Sequence, residues 1–146
     1  VTRPRDVQRQ RVYDSEHEAF SIRDEDVDWH TIEEVRLFVA SVITSREWTR
    51  FGGSRGLAAV LEVRPGRSNQ HRGRAHPEKG FISLPPWTWR DWYVLHELAH
   101  MLAPLDVAWH GREFCNFYLA LLERFGSPGQ ARLLRAVFAG RGVRFS

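Results

Sequence analysis

Apolar residues return at helical spacing in four stretches of this chain and form short, mostly apolar runs in two more. Ile32, Val35, Phe38, Val39, Val42 and Ile43 share one broad helix face, and Thr31 with Glu34 makes a capping box in which hydroxyl and carboxylate each satisfy a backbone donor. Ser45-Arg46-Glu47-Trp48 adds a further turn, which Phe51-Gly52-Gly53 stops. Leu57 to Val63 reads as a strand between Gly56 and Pro65-Gly66, and Phe81-Ile82-Ser83-Leu84 as a second strand, stopped by Pro85-Pro86. Val94, Leu95, Leu98 and Leu102 form the apolar stripe of another helix, with Thr88 as its N-cap, Asp91 in its first turn and Pro104 at its end. Phe114, Phe117, Tyr118, Leu121 and Leu122 mark a helix that ends at Gly126. Ser127-Pro128 opens a last one, continuing through Leu133, Leu134, Val137 and Phe138 to Gly140.

Two segments lack such a pattern. Residues 1–30 run from basic (Arg3 to Arg11) to acidic (Asp14 to Asp28), and their sparse apolar positions, Val7, Val12, Tyr13 and Phe20, suggest a strand or short helix docked on the body. Residues 67–80 contain almost no apolar side chain and read as a loop or a wide connection between strands. Positions 67–79 also hold the densest positive charge in the chain, with Glu78 the only acid among them. A clamp for an anionic partner such as nucleic acid and a solvated mobile loop both fit that composition, and the second is the commoner case. No internal repeat or low-complexity linker appears, so a single domain over residues 1–146 is expected.

Composition narrows the class without naming a function. At 146 residues, 42% of them hydrophobic and 27% charged, the chain has the make-up of a soluble globular domain with a core of its own. Its one cysteine, Cys115, excludes an intramolecular disulfide and a four-cysteine zinc ribbon, and belongs on the inner face of a helix. No apolar run approaches the roughly eighteen residues of a membrane span, and no apolar stretch of a secretion signal follows the first residues. A cytoplasmic protein is expected, with no membrane partner. The net charge of +3 invites a nucleic-acid reading. Yet Lys79 is the only lysine among 21 basic residues, a skew that a GC-rich genome produces without functional demand.

Chemistry concentrates in Trp92-Tyr93-Val94-Leu95-His96-Glu97-Leu98-Ala99-His100-Met101-Leu102. On a helix His96 and His100 stand roughly 40° apart, so two imidazoles project from one face and can grip one metal ion. Glu97 lies roughly 60° around the helix from His100, a placement better suited to a base beside a metal-activated water than to a ligand. That is the content of an H-E-x-x-H motif. A core helix with two solvated histidines is the alternative, but it explains neither the intervening glutamate nor the histidine that follows soon after.

A catalytic zinc usually has three protein ligands and one open position. His110 is the best third candidate: the chain leaves the helix at Pro104, crosses a short loop, and presents His110-Gly111-Arg112-Glu113-Phe114 at the start of another helix. Gly111, lacking a side chain, would let backbone pass close to the site. A capping or loop role for His110 is the competing reading. Ligating histidines usually pass their other N–H to a carboxylate or carbonyl, and Asp106 in the connecting loop is a candidate. Tyr93, one turn before His96, and an arginine of the 67–74 loop are candidate oxyanion stabilisers. The strand at 81–84, just before the metal helix, would offer an exposed edge for an extended substrate backbone. Trp87, Trp89 and Trp92 fit core packing or a substrate cleft.

With these residues in place, the chain resembles the SprT-like zincin metalloproteases. The likeness is carried by the helix-strand-strand-helix order, His96-Glu97-Leu98-Ala99-His100, and the later His110-Gly111-Arg112-Glu113-Phe114. More closely, Arg5-Asp6-Val7-Gln8-Arg9-Gln10-Arg11-Val12-Tyr13, the Gly80-Phe81-Ile82-Ser83-Leu84-Pro85 strand and the metal segment resemble a small actinobacterial family of metallohydrolases without a firm substrate. The resemblance implies an α+β zincin-like metalloprotease fold, a small mostly antiparallel sheet packed on helices that include the H-E-x-x-H helix. It implies Zn2+ held by His96, His100 and His110, with Glu97 as catalytic acid/base. Recognition of DNA-protein crosslinks does not carry over, because the DNA-binding extension common in those relatives has no counterpart in these residues. A metallopeptidase acting on a peptide or protein substrate is expected. The other classes in play are a metal-dependent nuclease or phosphoester hydrolase, favoured by the basic loop, and a non-catalytic zinc-stabilised interaction module.

Overall fold

Helix α1 forms over Arg9–Phe20, inside the opening segment whose sparse apolar positions suggested a strand or short helix. The computed structural model describes residues 2–21, 25–56, 58 and 61–146. Among these it is α+β: six α-helices and one three-stranded sheet, falling into two compact units. No helix among the described residues is long and apolar enough to cross a membrane.

One unit comprises Val27–Leu102. Helix α2 (Ile32–Ile43) starts as predicted: the Thr31 hydroxyl accepts from the Glu34 N–H at 3.2 Å. The glutamate reaches one residue further back than a standard box, its Oε1 accepting from the His30 N–H at 3.2 Å. Ser45 caps the short α3 (Arg46–Arg50) by accepting from the Trp48 N–H. Strand β1 runs Glu62–Pro65, later than the expected 57–63. Leu57, Ala59 and Val60 of that expected run lie outside the described residues.

The segment read as a loop contains strand β2 (Arg74–His76), and β3 (Phe81–Leu84) follows. No apolar alternation marks β2 because it lies at the sheet edge, held by main-chain pairing and by the His76 ring stacked on Phe81 at 4.2 Å. Lys79 and Gly80 N–H both donate to the His76 carbonyl, closing the β2–β3 turn, and Gly80 takes the left-handed φ of +78° that this turn requires.

Two expectations about the sheet are corrected here. The strand order is β1-β3-β2, with β1 parallel and β2 antiparallel to β3, so the sheet is mixed rather than mostly antiparallel. Strand β3 is therefore central, with both edges paired, and has none to offer a substrate. The reason is one of connection: β2 is inserted between β1 and β3 in sequence but outside them in space. Helix α4 (Asp91–Leu102) packs on β2 and β3, where Ile82 and Leu84 are fully buried.

The other unit comprises Val1–Asp26 and Ala103–Ser146. Helix α1 packs on α6 (Gln130–Gly140), and α6 on α5 (Arg112–Phe125). Val12, Phe20, Phe114, Tyr118, Leu122, Leu134 and Phe138 are buried in it, which by area alone contributes about 1.5–3 kcal/mol for each large side chain. Helix α6 begins at Gln130 rather than at Ser127-Pro128. The start is displaced because the Gln130 side chain takes the Ser127 N–H at 2.8 Å and donates to Asp26 at 2.8 Å, so Ser127 receives a cap instead of giving one.

Candidate metal centre

Helix α4 is set at its first residue. Asp91 Oδ1 accepts from the Trp92 N–H at 2.7 Å, its N–H donates to the Val27 carbonyl at 3.0 Å, and Oδ2 accepts from the Val27 N–H at 3.3 Å. Thr88, expected as the N-cap, instead closes the preceding 3-10 turn (Pro86–Thr88), its hydroxyl donating to the Pro85 carbonyl at 2.7 Å. The helix is also less amphipathic than its stripe suggested, since every side chain from Tyr93 to Met101 is buried.

His96, Glu97 and His100 lie in that buried span. The two imidazoles face each other edge-on with centroids 5.0 Å apart, the outcome that i, i+4 spacing predicts. Glu97 Oε2 stands 3.9 Å from His96 Nε2. Tyr93 stacks beside His96 at 6.0 Å, while its hydroxyl accepts the Gly73 N–H at 3.0 Å. Trp87 is half exposed, packs edge-on against Tyr93 and donates its indole N–H to the His71 carbonyl at 2.7 Å. Trp89 donates to the Leu84 carbonyl at 2.9 Å.

His110 stands immediately before α5, with Gly111 as the N-cap, where the sequence placed it. A Cβ at Gly111 would meet Ala108 of its own turn at 3.3 Å, so the glycine relieves that turn rather than an approach to the site. The carboxylate on His110 is Asp6, not Asp106: Asp6 Oδ2 lies 2.8 Å from His110 Nδ1, and Oδ1 accepts the His110 backbone N–H at 3.1 Å. Asp106 is exposed. Burial works to raise the Asp6 carboxyl, but the His110 ring and backbone N–H, with Arg9, outweigh it and hold the group below the usual carboxylate value. Asp6 was visible in the sequence only as part of the Arg5–Tyr13 motif, more than a hundred residues from its partner.

The ligand-capable nitrogens of His96, His100 and His110 all lie within 4.8 Å of one another. The four side chains of the motif, Glu97 included, are only 4–6% exposed. No fourth His, Cys, Asp or Glu among the described residues joins the group, and Glu97 is not a member of it. Three buried imidazoles are a donor set that can hold a metal ion, and nitrogen donors suit borderline divalent ions better than calcium or magnesium, which prefer oxygen. Comparison with protein-family models, curated proteins and solved structures finds no match.

Proposed function

We propose that this chain is a zinc-dependent hydrolase, a metallopeptidase of the zincin type that uses Glu97 as general acid/base. The observation that carries the reading is the grouping of His96, His100 and His110 within 4.8 Å, with Glu97 next to His96 but outside the group. The likeness of the His96–His100 and His110–Phe114 segments to SprT-like zincins supports the same assignment.

Three neutral imidazoles leave a bound zinc ion its full double charge, so it would supply a Lewis acid that acidifies water and polarises a carbonyl. The protein's own part is carried by named groups. His96 and His100 are fixed by a buried helix, and His110 by Asp6. Glu97, buried at the edge of the group, takes a proton from the attacking water and returns it to the departing amine. The edge strand β2 packs on α4 and takes the part first assigned to β3: an extended peptide would pair along it. A peptide substrate is favoured over nucleic acid because the acidic cluster expected of two-metal phosphoester chemistry does not join the three histidines among the described residues.

The test compares the parent with Glu97→Gln. The parent should contain zinc and cleave members of a peptide library. The variant should keep its zinc and lose at least about a hundredfold in turnover. Turnover confined to nucleic acid would replace the peptidase with a nuclease. Zinc retained by both proteins with hydrolysis by neither would leave a zinc-stabilised interaction module.

A further inference from the structure

His110 is held by more than its place in the chain. Its backbone N–H and its Nδ1 both go to the two oxygens of Asp6, at 3.1 and 2.8 Å. Its carbonyl accepts from Gln8 Nε2 at 2.9 Å and from the Cys115 thiol at 3.7 Å. Its ring is flanked edge-on by Tyr13 and Phe114, each with centroids 5.1 Å away. The residues that do this are concentrated in one short segment. Arg3 donates to the Val107 carbonyl at 2.8 Å and lies 3.7 Å above the Trp109 ring, and Gln8 also exchanges two bonds with the Arg144 backbone.

Such a network does two things to an imidazole. A carboxylate on Nδ1 keeps the proton there and the lone pair on Nε2, the nitrogen that a ligand must present. The bonds to the backbone on either side fix the direction in which that lone pair points. We infer that Asp6 is a positioning residue for His110 as a metal ligand, and that the segment 3–8 holds the loop on which this ligand stands. The inference rests on the metal reading above and adds to it the group that orients the third ligand. A purely structural tie would need one bond from Asp6, whereas here one carboxylate spans both the ring and the backbone of the same residue.

The experiment measures zinc affinity by competition with a chromogenic chelator, and the visible spectrum of the cobalt(II) form, for the parent, Asp6→Ala and Asp6→Asn. Asp6→Ala should bind zinc about 10–100-fold more weakly and show an altered cobalt spectrum. Asp6→Asn, which keeps an acceptor oxygen, should recover part of that loss. Long-range nitrogen-15 NMR of the parent prepared without metal should show His110 as the Nδ1–H tautomer, a readout that survives even if Asp6→Ala does not fold. Parent-like zinc binding and an unchanged cobalt spectrum in both variants would overturn the inference while leaving the metal reading intact. So would an Nε2–H tautomer of His110 in the parent. Absence of zinc binding by the parent itself would overturn the metal reading, and this inference with it.

Discussion

Tyr118 donates its hydroxyl proton to Glu16 Oε2 at 2.8 Å, and both side chains are buried. The pair joins α5 to α1 through a polar contact set among apolar residues. Burying a carboxyl group is costly unless it is hydrogen-bonded, so the bond matters more for what its loss would expose than for its own strength. Tyr118→Phe should lower unfolding stability by about 1–3 kcal/mol, read from the denaturant midpoint with an unchanged slope.

If the three histidines hold zinc, the ion stabilises only the folded chain. Thermal unfolding should shift upward with added zinc, by an amount equivalent to about 2.7 kcal/mol when free zinc is a hundred times the dissociation constant. His96→Ala and His100→Ala should show most of that shift removed in differential scanning calorimetry.

His76 gives a pH prediction. Burial first, then the charges of Lys79, Arg74 and Arg64, depress its pKa below the ordinary 6.5. The folded chain therefore binds fewer protons at this site than the unfolded chain between the two values. The site's contribution to stability is complete above about pH 6.5 and falls as the pH drops from there through the lowered folded pKa. Proton NMR should place the His76 titration midpoint below 6.5, and His76→Gln should flatten that part of the stability profile.

Cys115 is fully buried on α5, and burial, followed by the charges of Glu16, Asp6 and Glu113, pushes its thiol well above the usual range. The thiolate is the reactive form. Under native conditions at neutral pH, labelling by a thiol reagent should be slow and should accelerate sharply on unfolding, as mass spectrometry would record.

Gly73 lies against the aromatic group beside His96. A Cβ there would stand 2.6 Å from the Tyr93 ring and 3.1 Å from Leu84, besides disturbing the bond from Gly73 N–H to the Tyr93 hydroxyl. Gly73→Ala should cost about 1–3 kcal/mol of stability, measurable by denaturant titration, through overpacking.

The metal-ligand candidates were legible because spacing alone carries them. His96 and His100 need only the period of a helix, and His110 only the stop at Pro104 and the restart of a helix after it. Helix α2 was legible for the same reason, since Thr31 and Glu34 act over a single turn. What escaped was set by distant partners. Helix α1 buries Glu16, and the sequence could not show that Tyr118 would satisfy it. Asp6 could not be joined to His110 without the fold, so the nearer Asp106 stood in its place. Strand β2 carries no alternation of its own, and the order of the sheet depended on it.

Enclosure of α4 from Tyr93 to Met101 separates two events that small metal-dependent modules combine. The rotameric freedom of His96 and His100 is given up when the chain folds, so an ion bound there would meet a preorganised pair and have little helix to assemble. Far-ultraviolet circular dichroism should then barely change on loading. Were this pair to ligate an ion, discrimination among divalent ions would fall to a frame whose donor spacing was settled beforehand.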